Sequence, residues 1–168
     1  MTELRFAEVS DVDTVALIIE QAREFLKNQG HDQWQNGYPN KDTVRDDVKT
    51  RRGFVVTVDG NIAAYLYISL DGEPVYEHIT DGEWHSGVRA AVIHRVAISN
   101  LYRGTGLSSK IFSLACNYCK EHGFDAVRID THPKNMIMQH VLEKNGFERR
   151  GRVFYKESGE RLAFEKML

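Results

Sequence analysis

No apolar run in this sequence approaches the roughly 20 residues that cross a bilayer, and the opening Met1-Thr2-Glu3-Leu4-Arg5 lacks the apolar core of a signal peptide. Both absences predict a cytoplasmic protein with no membrane partner. Cysteine is scarce: Cys116 and Cys119 are the only two, and their single C-x-x-C has no second pair and no histidine at zinc-finger spacing. It lies inside a helical pattern, which favours core packing or a free thiol over metal or redox work. The seven histidines, at 31, 78, 85, 94, 122, 132 and 140, form no H-x-x-x-H pair, and no metal site is expected. An excess of one charge is also missing. Lysine and arginine number 22 against 24 acidic residues, a net −2, which gives no general attraction to nucleic acid or anionic lipid. Any anionic ligand has to be held locally. Three prolines, no internal repeat and no low-complexity tract leave little room for a linker.

What is present fits one domain over residues 1–168, a length that buries about 70% of its unfolded surface. Leu4 to Ala7 reads as a strand, and Ser10-Asp11-Val12-Asp13 as a capping box opening a helix with apolar Val15, Ile18, Ile19, Ala22 and Leu26, stopped at Gly30. Asn40 caps a second helix carrying Val44 and Val48, with Gly53 closing it. Phe54 to Val58 and Ile62 to Ile68 flank Asp59-Gly60-Asn61 as a hairpin. Residues 71–88 form a long irregular connection carrying Tyr76, His78, Trp84 and His85, longer than a packed domain keeps without a use. Ala91 to Ile98 is a strand, followed by a helix to Gly123, a strand over Ala126 to Thr131, a helix over Asn135 to Asn145, and an antiparallel pair over Phe147 to Tyr155 and Arg161 to Met167. The order β α α β β β α β α β β predicts an α/β fold with one mixed sheet and helices on both faces.

Between the strand ending at Ile98 and the next helix stands Arg103-Gly104-Thr105-Gly106-Leu107-Ser108. A glycine-rich turn here exposes the first N–H groups of the helix, which have no intrahelical partner and sit at the positive end of its dipole. Gly104 and Gly106 permit close backbone approach, and Arg103 offers a charge-assisted contact, so a pyrophosphate suits the turn. Taken alone the glycines also suit an ordinary tight turn. The pattern is neither the dinucleotide-binding G-x-G-x-x-G nor a P-loop, so hydride transfer and nucleotide hydrolysis lose support.

The block from Ile93 to Ser108 resembles the R/Q-x-x-G-x-G/A motif and preceding strand of the GNAT superfamily of N-acetyltransferases, with Ser108 where the family usually has glycine or alanine. Asn135 with Leu142-Glu143-Lys144-Asn145-Gly146-Phe147 is similar to the family's N-x(6)-Y-x-x-x-G-F block. The resemblance implies a mostly antiparallel sheet of about seven strands. It also implies acetyl-CoA, or another short acyl-CoA, as co-substrate in a V-shaped gap between the strands ending at Ile98 and Thr131. Pantetheine would then pair with Val96, Ala97 and Ile98, the pyrophosphate would lie on residues 103–108, and Asn135 would contact the thioester-bearing arm. The acceptor would be a primary amine of a small molecule or peptide, and a homodimer is compatible with the sequence.

An amine attacks a thioester only when neutral, yet a lysine-like amine is mostly protonated at pH 7, so a base is useful. Alternation along Val92, His94, Val96 and Ile98 places His94 on one strand face as the candidate base, and the arylalkylamine branch of the family carries a histidine at the matching position. A hydrogen-bonded sheet histidine is the plainer reading. Leu142 stands where the family's tyrosine protonates the leaving thiolate; water, His132 or Tyr102 would have to serve, or the thiolate leaves unassisted, and a catalytically weak CoA-binding sensor is the alternative function. His132 also reads as a loop histidine. Trp34, Tyr38 and Tyr76, with Pro39 and Trp84, either clamp the substrate or anchor loops. Asp42, Asp46 and Asp47 read as a solvated helix face.

Overall fold

The computed structural model describes residues 1–168. In chain order the elements are β1 (Thr2–Phe6), α1 (Val12–Asn28), α2 (Lys41–Lys49), β2 (Gly53–Val58), β3 (Asn61–Ser69), β4 (Ala90–Ile98), α3 (Leu107–Glu121), β5 (Ala126–Thr131), α4 (Met136–Lys144), β6 (Glu148–Tyr155) and β7 (Gly159–Met167). Short 3-10 turns occur at Val9–Asp11, Pro74–His78 and Asn100–Tyr102. The strands form a seven-stranded sheet in the order β1-β2-β3-β4-β5-β7-β6. Pairing is antiparallel for β1 with β2, β2 with β3, β5 with β7 and β6 with β7, and parallel for β4 with β5. The fold is thus the mixed, mostly antiparallel α/β arrangement expected. Contacts divide the chain into two compact units, residues 1–68 with 95–114 and residues 69–94 with 115–168.

In the first unit, Val12, Val15, Ile18, Ile19 and Ala22 recur at helical spacing on α1 and are buried with Val44 of α2, Val55 of β2 and Tyr65 of β3. The start of α1 differs from expectation. Ser10 does not cap it; instead the Asp11 carboxylate accepts the Glu8 N–H at 2.8 Å and two Arg5 N–H groups at 2.7 and 3.1 Å, and a 3-10 turn precedes the helix. Asn40 does cap α2, its side chain accepting from the N–H groups of Asp42 and Thr43 at 3.0 and 3.1 Å. Gly53 is not the closing residue of α2 but the first of β2, the helix having ended at Lys49 with Arg51 in the left-handed region at φ +55°. Asp59 and Gly60 both take positive φ, as a two-residue hairpin turn requires, and pair Val58 with Asn61.

In the second unit, Ala90, Ala91 and Val92 of β4 pair with Ala126, Val127 and Arg128 of β5. Tyr76, Val92, Val153 and Ala163 form a buried cluster, with Val75, Ile79, Trp84 and Tyr155 packed on it. The connection 71–88 is therefore anchored rather than loose. Thr80 and Arg152 exchange two backbone hydrogen bonds of 2.8 Å across an isolated bridge, and Gly151 permits that crossing, because a Cβ there would lie 2.4 Å from the Thr80 carbonyl oxygen. Cys116 and Cys119 are free and buried on α3, where burial pushes their thiols up to about 11 and about 12.

Candidate active site

The turn after β4 belongs to the first unit. Ser99 donates its N–H to the Ala63 carbonyl at 2.9 Å and its hydroxyl accepts the Leu101 N–H at 3.4 Å, while Thr105 Oγ1 donates to the Tyr102 carbonyl at 2.6 Å. Gly104 and Gly106 lie at φ +78° and +83°, and a Cβ at either would meet nothing within 4 Å. Glycine is demanded by backbone hand, and the turn's outer side is open. Residues 104–106 are exposed, while Leu107, which begins α3, is buried. An anion placed there would face the N-terminus of α3, whose first N–H groups have no intrahelical partner in any α-helix and sit at the positive end of the dipole, a setting that suits a pyrophosphate.

Arg103 braces this turn from within. Its Nη2 donates to the Ile98 carbonyl and to Asn100 Oδ1, each at 3.1 Å, and its guanidinium lies 3.9 Å over the Phe25 ring. Burial lowers its pKa. Nε is buried without a hydrogen-bond partner.

Just before the turn, Arg95 sits in the left-handed region at φ +54° inside β4. This breaks the period of two, so the alternation expected along Val92, His94, Val96 and Ile98 does not carry past Arg95. The guanidinium of Arg95 is bidentate to Asp47, at 3.1 and 2.6 Å, donates to the Tyr38 hydroxyl at 2.7 Å and lies 4.2 Å over the Tyr67 ring. Tyr65 donates its hydroxyl to the same Asp47 carboxylate. Asp47 is therefore not on a solvated face: it is buried, while Asp42 of the same helix pairs with Arg45 at the surface. Tyr38 is 50% exposed, and Trp34 packs against the unit's core.

His94 belongs to the second unit. Its Nε2 lies 3.1 Å from Glu73 Oε2, and a carboxylate only accepts, which assigns the N–H to Nε2 and the lone pair of the neutral ring to Nδ1. Glu73 caps the Pro74–His78 turn, so the partner of His94 is fixed by local backbone. The buried Tyr76 packs edge-on against His94, ring centroids 6.0 Å apart. Its hydroxyl donates to Asp130 Oδ2 at 2.7 Å, and Tyr155 donates to the same oxygen at 2.6 Å. Burial, and then the Asp130 charge, raises both phenols well above their ordinary pKa. Trp84 packs against Tyr76 with the rings tilted by 40° and their centroids 5.2 Å apart, and donates its indole N–H to the Tyr76 carbonyl at 2.8 Å.

A deeper carboxylate anchors the same connection. Glu165 is 1% exposed; it accepts the His85 N–H at 3.0 Å and Arg128 Nε at 2.7 Å, and bonds the His85 ring. Burial pushes its pKa up, but these donors overcome that and hold it below the ordinary glutamate value.

Downstream, Asn135 caps α4, its Oδ1 accepting the Met138 N–H at 3.1 Å. His132 accepts the Lys134 N–H at 3.1 Å through Nδ1, a turn-forming bond. Leu142 is fully buried at 0% exposure. No group of three or more His, Cys, Asp or Glu side chains is arranged to hold a metal ion, and no helix is long and apolar enough to cross a membrane.

Comparison with known proteins agrees with this fold. The acetyltransferase (GNAT) family model matches residues 17–147. Among solved structures, a GNAT-family acetyltransferase from Streptococcus agalactiae is 36% identical, with a TM-score of 0.90, covering 99% of this chain and 95% of that one. The PaiA N-acetyltransferase of Thermoplasma acidophilum, solved with coenzyme A, is 13% identical with a TM-score of 0.73, covering 100% and 99% of the two chains. AAC(6')-Ib, solved with ribostamycin and coenzyme A, is 17% identical with a TM-score of 0.72, covering 99% and 93%. At these last two identities the likeness concerns the fold. No curated protein matches the sequence significantly. The chain belongs to the acetyltransferase (GNAT) family, whose members transfer acyl groups from CoA to amines.

Proposed function

We propose that residues 1–168 act as one acyl-CoA N-acyltransferase domain that moves an acetyl or other short acyl group to a primary amine of a small molecule or peptide, working in the cytoplasm. The observation that carries this reading furthest is the Glu73–His94 pair, 3.1 Å apart on an element order shared with acetyltransferases. Acetyl-CoA supplies the electrophilic thioester carbonyl. The turn at Arg103, Gly104, Thr105, Gly106, Leu107 and Ser108 takes the pyrophosphate, the backbone of Val96, Ala97 and Ile98 the pantetheine, and Asn135 the acyl-bearing arm. His94 accepts the amine proton at Nδ1 as the amine attacks, and Glu73 balances the imidazolium that results, the same division of labour as in other carboxylate–histidine pairs. Tyr76, packed edge-on against His94, contributes to the acceptor side.

Leu142 is fully buried and carries no proton to donate. The thiolate leaves unassisted or takes a proton from water, which a thiol pKa near 8.5 tolerates. Thermal-shift titration with acetyl-CoA, CoA and ATP tests the donor. A ligand at 100 times its Kd stabilises by about 2.7 kcal/mol, so both CoA species are expected to raise Tm and ATP to have a lesser effect. Stabilisation by ATP alone would replace this reading with a general nucleotide-binding one.

A further inference from the structure

We propose that Asp130 is the anchor for a second positive charge on the acceptor, so that the preferred substrates are amines carrying a further ammonium or guanidinium group. The proposal rests on the acyl-transfer reading above and concerns the acceptor class. Its basis is an unbalanced charge. In the second unit Glu165 faces Arg128 at 2.7 Å, Arg150 at 3.8 Å and His85, Glu160 pairs with Arg152, Asp81 lies 3.3 Å from Arg152, and Glu73 faces His94 at 3.1 Å. Asp130 receives two phenol hydroxyls on one oxygen, at 2.7 and 2.6 Å, and both donors are neutral. Arg128 is two residues away on the same face of β5, but its guanidinium is turned to Glu165 and lies 4.6 Å from the Trp84 ring.

A half-buried carboxylate held only by neutral donors is costly, and a ligand cation relieves that cost with a charge-assisted hydrogen bond. The place is also right, since one side chain joins it to the candidate base: the Tyr76 ring packs on His94 and its hydroxyl binds Asp130. The reacting nitrogen itself is the wrong occupant. A carboxylate beside it would stabilise its ammonium form and oppose the proton loss that attack requires. The charge that suits Asp130 is one that stays on the substrate throughout.

The test is calorimetric binding of 1,3-diaminopropane through 1,6-diaminohexane, each against the n-alkylamine of the same length, to the chain saturated with CoA. The wild type is expected to bind at least one diamine about 10- to 100-fold more tightly than its monoamine, the range for a hydrogen bond to a charged group. Asp130→Asn keeps an oxygen acceptor for both phenols and is expected to abolish that preference while CoA affinity is retained. Asp130→Ser gives a second neutral variant, and Tyr155→Phe, which keeps the carboxylate, is expected to retain the preference. An equal preference in wild type and Asp130→Asn, or none in the wild type, overturns the proposal. Preserved diamine preference with no acyl transfer to any amine would instead overturn the reaction reading and leave the Asp130 site standing.

Discussion

Removing the carboxylate of Asp47 should unfold the chain more readily than most single substitutions. Asp47 and Arg95 are only 7% and 15% exposed at the side chain, and their pair is bidentate. Asp47→Ala strands the guanidinium and takes the hydrogen-bond partner from Tyr65, which is 0% exposed. Breaking a buried pair from one side costs about 3–5 kcal/mol, against a total stability of about 5–15 kcal/mol for a domain. At about 2–4 °C per kcal/mol for a chain of this size, Tm should fall by roughly 6–20 °C. Urea denaturation followed by circular dichroism is the assay, with the midpoint falling at constant slope. The combined replacement Asp47→Leu, Arg95→Met and Tyr65→Phe, which leaves no buried hydroxyl without its acceptor, should recover most of the loss, because a buried ion pair contributes little over apolar packing. A loss below about 1 kcal/mol in Asp47→Ala would refute the view that this pair fixes α2 to the strained residue in β4.

Three further outcomes follow from the same geometry. Glu165 is held below its ordinary pKa, so its stabilisation is present above the unfolded value of about 4.3 and disappears as pH falls through the lower folded value. Glu165→Gln should therefore be less stable than wild type at pH 7, with the difference narrowing toward pH 3; a pH-independent difference would contradict this. Cys116 and Cys119, pushed up to about 11 and about 12, should resist an aromatic disulfide reagent at pH 8 until the chain is unfolded, when both react. Gly106→Ala forces a side chain into the left-handed region at φ +83°, at a cost of about 1–2 kcal/mol. If CoA binding requires that backbone shape, its Kd should rise about tenfold, as isothermal titration would show.

Local signals carried most of the fold. The cap at Asn40, the Asp59-Gly60 hairpin and the glycine turn before α3 are set by residues within a few positions of one another, so their chemistry is visible in the chain itself. The start of α1 departs from the expectation at Ser10 because the capping box forms between Glu8 and Asp11 on the 3-10 turn before the helix, with Arg5 adding donors to the same carboxylate. What stayed hidden depends on distant partners. Asp47 looks like one of three exposed acids until Arg95, 48 residues on, is seen to grip it. The left-handed residue in β4 is an arginine, so no glycine announced it. His94 was visible as a candidate, but Glu73 lies 21 positions earlier and Asp130 meets Tyr76 across 54 positions. No periodicity joins them.

Acyl transfer to an amine with His94 as base is open to direct measurement. Release of the CoA thiol from acetyl-CoA over a panel of primary amines, with wild type and His94→Ala compared across pH, measures it directly. Amine-dependent release by the wild type is expected. In His94→Ala that release should drop about 10²- to 10⁴-fold with acetyl-CoA binding retained, and its pH profile should change. Amine-dependent release with the same rate and pH profile in His94→Ala, or none from the wild type with any amine, would contradict it.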